Sequence, residues 1–183
     1  MNQGRTLRIF PIVAAAGLCV ILSACGAWQS VSDGTANAYN AVFHKTVKTL
    51  NIDLSARSAL NSTSGTQPFS VAVRIYQLKE RKGLEAASYY DLLDNDRTVL
   101  AQDLQDMTSV ILTPGGAVNV TQPMKTDTQY VAVVAFFRDP TDGITWRRVF
   151  SKKSLSADEP LKLELVGNDL VAAGDTPKTR PAQ

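Results

Sequence analysis

The chain has 183 residues, with 19 Lys and Arg against 17 Asp and Glu, a single histidine and two cysteines. A balance this close to neutral gives no bulk attraction for nucleic acid, and the length suits one domain with a real core better than two. So few His and Cys exclude zinc sites built from several of them, and the sole histidine, His44, falls in a polar tether rather than in a Ser-His-Asp or Cys-His arrangement.

Residues 1–24 have the build of a secretory signal. Arg5 and Arg8 form a positive n-region, residues 9–22 an uncharged apolar run, and small residues precede Cys25. The run of about fourteen residues falls short of the roughly 18–20 that cross a bilayer, which counts against a transmembrane anchor. A plain signal peptide needs no cysteine after Ser-Ala. Leu22-Ser23-Ala24-Cys25 resembles the bacterial lipoprotein signal instead. That resemblance implies cleavage before Cys25, acylation of its thiol and of the new N-terminus, and attachment to a membrane from the periplasmic side. Each buried CH₂ adds about 0.8 kcal/mol, so several acyl chains make a stable anchor. By resemblance to lipoprotein sorting, Asp after the cysteine favours the inner membrane; Gly26 stands there, which favours the outer membrane. Removing residues 1–24 takes Lys and Arg from 19 to 17 and leaves 17 acids, a formal charge of zero. Cys19 leaves with the signal and Cys25 carries lipid, so no disulfide is expected within the domain.

Residues 25–48 read as the lipidated N-terminus and a tether, rich in Ser, Gly, Asn, Thr and Ala. About twenty such residues reach at most some 65–70 Å when extended, and about 25 Å as a flexible coil. Asp33 suits the N-cap of a short helix with Tyr39, Val42 and Phe43 on one side.

Residues 49–173 read as a β-domain. Leu50, Ile52 and Leu54 alternate with polar residues, the period of a half-buried strand. Phe69, Val71, Val73 and Ile75 alternate with Ser70, Ala72, Arg74 and Tyr76. Between Gly83 and Met107 the spacing turns helical: Ser88 and Asp91 resemble a capping box, Tyr89, Leu92 and Leu93 share a face, and so do Leu100 and Leu104. Val110 and Leu112 end a strand at Pro114-Gly115-Gly116, and Val118 and Val120 continue beyond it. Tyr130 to Phe137 is an almost continuous apolar run, expected as a central strand covered on both faces. Asp139-Pro140-Thr141-Asp142-Gly143 marks a turn, with Trp146 to Phe150 as the returning strand. Leu161, Leu163 and Leu165 alternate, and Gly167-Asn168-Asp169 turns into Leu170-Val171. Seven or eight short strands with turns between them predict an antiparallel β-sandwich with a short helical insertion between strands two and three. Residues 174–183 hold little apolar content and read as a disordered tail.

No EF-hand loop, P-loop or dinucleotide fingerprint is present. Carboxylate-only catalysis and oxygen-ligand metals stay open on composition alone, but no acid pair stands in a recognisable motif, and no catalytic, metal or cofactor-binding residue is assigned. The most pointed surface feature is the loop over residues 57–68, about a dozen residues where a hairpin needs two to five. It holds Arg57, Leu60, Asn61, Ser62, Thr63, Ser64, Gly65, Thr66, Gln67 and Pro68, uncharged in its middle and rich in hydrogen-bonding side chains. Loops of this size on a rigid scaffold often bind a partner; the bland alternative is a solvated connector. Trp146-Arg147-Arg148 invites a binding reading, but Trp146 packing at the sandwich edge with the arginines paired to local carboxylates is favoured. Lys79-Glu80-Arg81-Lys82 reads as a solvated turn, and Asp91, Asp94 and Asp96 as solvated acids at a helix end rather than a metal site.

Taken together, the lipobox, the tether, Leu60-Asn61…Gly65…Pro68, Val73-Arg74-Ile75-Tyr76-Gln77-Leu78, Leu112-Thr113-Pro114-Gly115, Val133-Val134-Ala135-Phe136-Phe137-Arg138-Asp139 and Trp146-Arg147 resemble the TssJ family. These are the outer-membrane lipoproteins of bacterial type VI secretion systems, also called VasD or SciN. The resemblance implies a transthyretin-like sandwich with a helical addition and no catalysis. It implies a role in fixing a trans-envelope complex to the outer membrane, by binding the periplasmic C-terminal region of TssM, the IcmF-like protein that associates with TssL. It also implies that the loop between strands one and two makes that contact. Here Asn61-Ser62-Thr63 stand where Asn-Pro-Asp-like residues are expected, so this loop is less charged. Fold alone leaves open a generic envelope binding lipoprotein or a pilotin-like accessory of another machine.

Overall fold

The computed structural model describes residues 46–62, 67–140, 143–173 and 175. The signal, the tether up to residue 45, the helix proposed after Asp33, His44, residues 141 and 142 of the turn, and all of the tail but Asp175 lie outside the described residues. Among the described residues there are eight strands: β1 Thr49–Ala56, β2 Val71–Leu78, β3 Leu104–Leu112, β4 Ala117–Pro123, β5 Tyr130–Phe136, β6 Arg147–Ser151, β7 Leu161–Val166 and β8 Asp169–Ala172. Helices α1 Lys82–Ala86 and α2 Tyr89–Val99 lie between β2 and β3, and a short 3₁₀ turn, Lys152–Ser154, follows β6.

The strands form two four-stranded sheets, ordered β4-β1-β7-β8 and β3-β2-β5-β6. The expected sandwich with its helical insertion is therefore observed. One pairing departs from the antiparallel rule: β1 runs parallel to β7, with Leu54 opposite Leu163. Hairpin-connected strands can only pair antiparallel, but β1 and β7 are joined through most of the domain, so nothing local fixes their direction.

Period-two alternation builds the core. Leu50, Ile52 and Leu54 of β1, Val71, Val73 and Ile75 of β2, Val131, Val133 and Ala135 of β5, and Leu163 and Leu165 of β7 turn into one buried cluster between the sheets. The other face of the β2-β5 pair is buried as well. Tyr76, Leu78, Ala132, Val134 and Phe136 meet Leu84, Tyr89, Leu92 and Leu100 from the helical insertion. The continuous apolar run of β5 thus has the two-sided cover expected of it, and β2 shares it.

The helical region is shorter than its spacing suggests. Leu104 and Met107 belong to β3, because pairing with β2 overrides a local pattern that fits either period. The capping box holds: the Asp91 backbone N–H donates to Ser88 Oγ at 3.2 Å, and the Ser88 N–H donates to Asp91 Oδ2 at 3.0 Å. The Ser88 hydroxyl and N–H bonds hold the Asp91 carboxyl below its usual range. Helix α2 is kinked at Asn95, whose φ and ψ are −136° and 29°.

Phenols on this inner layer couple the fold to alkaline pH. Tyr89 donates its hydroxyl to the Phe137 carbonyl at 2.6 Å, and burial pushes its pKa up to about 12. Burial also raises Tyr76, which donates to Asp96 Oδ2 at 2.9 Å. Both favour the protonated form in the folded state. Their stabilisation is complete below the unfolded value near 10 and is lost as pH rises through the folded values. We expect melting temperature to fall steeply above about pH 10, and Tyr89→Phe to flatten that fall. An unchanged pH profile in the variant contradicts this coupling.

Candidate functional site: one end of the sandwich

The chain enters the sandwich at the start of β1 and reaches the loop at residues 57–70 only after crossing its length. Eight residues at about 3.3 Å each separate the two ends by roughly 25 Å. At the loop end lie the β3–β4 turn, the β5–β6 connection and the β7–β8 turn. Backbone bonds stitch them together: Arg57 N–H to the Leu165 carbonyl at 3.0 Å, Gly115 N–H to the Arg57 carbonyl at 3.3 Å, and Asn61 N–H to the Gly167 carbonyl at 2.9 Å. The β3–β4 turn demands glycine: Gly115 has φ +72°, and a Cβ on Gly116 would lie 2.5 Å from Thr113 Oγ1.

The ten loop residues fall into distinct groups. Leu60 is fully buried and belongs to the main core, and Asn61 is 6 % exposed. Asn61 adopts φ +50°, a left-handed conformation that asparagine tolerates better than most residues. Its Oδ1 accepts from the Arg138 N–H at 2.7 Å, and its Nδ2 donates to the Ser70 carbonyl at 3.4 Å. Leu60 and Asn61 therefore root the loop and offer little side chain to a partner. Ser62 donates to the Ala59 carbonyl at 3.1 Å. Gln67 and Pro68 are exposed. Arg57 is exposed and paired with Glu164 at 3.0 Å, a surface pair of small energetic weight. Thr63, Ser64, Gly65 and Thr66 lie outside the described residues, as do Cys25 and Gly26.

Two residues that the sequence reading did not place here stand beside the loop. Phe69, expected to face the core of β2, precedes that strand and is 43 % exposed. The Arg138 guanidinium lies over its ring, 4.8 Å from the centroid. Only the alternation of Phe69 with Val71 was visible in sequence, and alternation does not say where a strand begins.

The other singled-out residues serve the fold. Trp146 packs edge-on against Tyr89 at 5.2 Å. Arg148 pairs with Asp175 at 2.8 Å, as expected of it. Among the described residues Arg147 pairs with no carboxylate; it donates to the carbonyls of Leu84, Glu85 and Ala87 at the end of α1, where a cation suits the helix dipole. Lys79 pairs with Asp127 and Arg81 with Glu85 on the exposed turn. Asp96 is not a solvated acid. It is 9 % exposed, accepts from Tyr76, and meets the Arg74 guanidinium at 3.0 Å. A groove on the outer face of the first sheet is lined by Asp53, Arg57, Asn119, Lys162, Glu164 and Asp175; Asn119 donates to Asp53, Arg57 pairs with Glu164, and Asp175 pairs with Arg148. Among the described residues no three His, Cys, Asp or Glu come together to hold a metal. Among the described residues the loop end presents a mixed polar and aromatic surface, with Gln67, Pro68, Phe69 and Arg138 exposed.

The model of the type VI secretion lipoprotein family, which includes VasD, EvfM and TssJ, matches residues 48–168. The chain belongs to the type VI secretion lipoprotein family. Solved structures agree. A chain of a "Type VI membrane complex" is 38 % identical, with 69 % of this chain and 98 % of that one covered at a TM-score of 0.65. A chain in the structure described as the T6SS protein TssM C-terminal domain from EAEC is 35 % identical over 69 % and 98 %, at 0.61. The T6SS lipoprotein TssJ1 from Pseudomonas aeruginosa is 27 % identical over 74 % and 98 %, at 0.57. A search of curated proteins finds no match. As a member of a lipoprotein family the protein is an envelope component, and the sandwich described above is the fold its relatives share.

Proposed function

We propose that this lipoprotein is the non-enzymatic outer-membrane anchor of a type VI secretion membrane complex, and that it binds the periplasmic C-terminal region of TssM, with TssL in the same assembly. The observation that carries this reading is the 35 % identity to a chain solved in a structure described as the TssM C-terminal domain. In this reading residues 1–24 are removed, Cys25 is acylated, and Gly26 leaves the protein free to reach the outer membrane. Residues 25–48 supply reach.

The geometry supports a bridging role. The lipidated segment joins the sandwich at the start of β1, and the loop over residues 57–68 sits at the opposite end of that strand, roughly 25 Å away. A tether between the membrane and the domain leaves the loop end free to meet a partner that spans the periplasm. Tethering both proteins in the envelope raises the effective concentration of each for the other without any new contact.

The test is binding of the detergent-solubilised full chain to the periplasmic C-terminal domain of TssM from the same genome. A second protein has residues 62–67 replaced by Gly and Ser, keeping Leu60 and Asn61 so that the loop stays rooted. The intact chain is expected to bind, and the replaced loop to weaken binding at least tenfold while the melting temperature holds. Failure of the intact chain to bind overturns the proposal and favours a lipoprotein of another envelope machine. Undiminished binding by the replaced loop moves the site to another face.

A further inference from the structure

Four large apolar side chains are exposed among the described residues: Phe69, Tyr90, Val99 and Ile111. Three of them lie at the loop end of the second sheet. Ile111 is 68 % exposed and pairs with Ala72, which in turn pairs with Phe136. Tyr90 is 62 % exposed and packs at 5.4 Å against Tyr89, which packs at 5.6 Å against Phe136 and donates to the Phe137 carbonyl. Phe69 lies beneath Arg138, the residue after Phe137. The three share the loop end of the second sheet, on its helix-covered side and rim.

Charge and backbone at this place are both open. Arg74, the neighbouring guanidinium, is neutralised by Asp96. Arg138 has no carboxylate within ion-pair distance among the described residues. Strand β3 is an edge of its sheet. From Met107 to Leu112 it carries neither charge nor proline, the devices that natural edge strands use against unwanted pairing. The patch is continuous with the loop through Phe69 and Asn61, which receives the Arg138 N–H.

We infer that this corner, made by the β3 edge with Ile111, Tyr90, Phe69 and Arg138, receives an extended segment of the envelope partner that adds a strand to β3. That segment carries large apolar side chains beside a carboxylate that meets Arg138. Main-chain bonds to an edge give affinity, and side-chain pockets give specificity, the usual division in strand addition. Aromatic and Arg anchors are the residues that dominate such contacts. The inference rests on the proposed binding of TssM and names a second contact beside the loop.

The test uses the solubilised full chain and the TssM C-terminal domain as probe. Ile111→Lys, Tyr90→Ala and Arg138→Glu change exposed side chains, and unaltered melting temperatures check the fold. Val99→Ala, on the exposed end of α2, is the control. Each patch variant is expected to weaken binding about tenfold or more and Val99→Ala less than twofold; Arg138→Lys keeps the charge and retains most of the affinity. If wild type binds and the patch variants bind within twofold of it, this inference is overturned and the TssM reading stands. If Val99→Ala weakens binding as much as the patch variants, the corner is not specific and the inference fails in the same way. If the intact chain does not bind at all, the TssM reading falls and this inference with it.

Discussion

Cys25→Ser is expected to abolish outer-membrane attachment and, with it, assembly of the secretion complex. A serine hydroxyl at this position gives the lipoprotein pathway no thiol to acylate, so cleavage before residue 25 is lost as well. A single chain of myristoyl size binds membranes only marginally, with a constant of about 10⁴ M⁻¹. A variant without acyl chains has no anchor at the outer membrane. Fractionation of cells expressing the variant should find it in the soluble periplasm, or held at the inner membrane by its uncut signal. The sandwich itself should be unaffected, since residue 25 lies outside the folded domain of residues 49–173 as proposed here. The purified variant should therefore still bind TssM. Attachment and recognition are separable in this account, and normal outer-membrane fractionation of Cys25→Ser would sink it.

The second large effect is on stability. Asp96 and Arg74 form the most enclosed ion pair among the described residues, with side-chain exposures of 12 % and 23 %. The Arg74 guanidinium also donates to the carbonyls of Leu92 and Leu93 at 2.7 and 3.2 Å and lies 4.7 Å over the Phe136 ring. Asp96 accepts in addition from Tyr76 and from the Arg97 N–H. One carboxylate thus ties the kinked helix α2 to β2. Asp96→Ala leaves a phenol without its acceptor and a half-buried cation without its counter-charge. Breaking such a pair from one side costs about 3 kcal/mol, which for a domain of this size lowers the melting temperature by on the order of 10 °C. Asp96→Asn keeps an acceptor for Tyr76 and should lose less. A melting temperature for Asp96→Ala within about 2 °C of wild type contradicts this role.

Local pattern and long-range pairing divide what was legible in the sequence from what was not. The alternation of Leu50, Ile52 and Leu54, the unbroken run of β5 and the Ser88–Asp91 box each report on residues a few positions apart, and each is found in the fold. The parallel register of β1 with β7 joins residues more than a hundred positions apart. No local spacing encodes it. Leu104 fits a helical spacing with Leu100, and only its pairing with Leu78 decides that it is in a strand. Asp96 looked like one of several helix-end acids because its partners, Arg74 and Tyr76, lie some twenty residues earlier. Arg147 looked like a partner for carboxylates because helix-end carbonyls cannot be seen in a sequence.

The loop was legible by its length and polarity, but its anatomy was not. Leu60 stands among polar residues and could be read as part of the surface; its complete burial makes it the peg that holds the loop to the core. Asn61 looked like one hydrogen-bonding side chain among many, whereas its left-handed backbone and its bond from Arg138 make it the hinge between two connections. Phe69, Tyr90, Ile111 and Arg138 were each visible as residues and invisible as a group, since they come from four separate elements.

The central claim is that this lipoprotein fixes the trans-envelope complex to the outer membrane. It is tested most directly by the position of TssM in a sucrose density gradient of membranes, from cells carrying either the intact chain or Cys25→Ser. The account predicts TssM in outer-membrane-density fractions with the intact chain, and only in inner-membrane fractions with the variant. The same TssM distribution in both would contradict it.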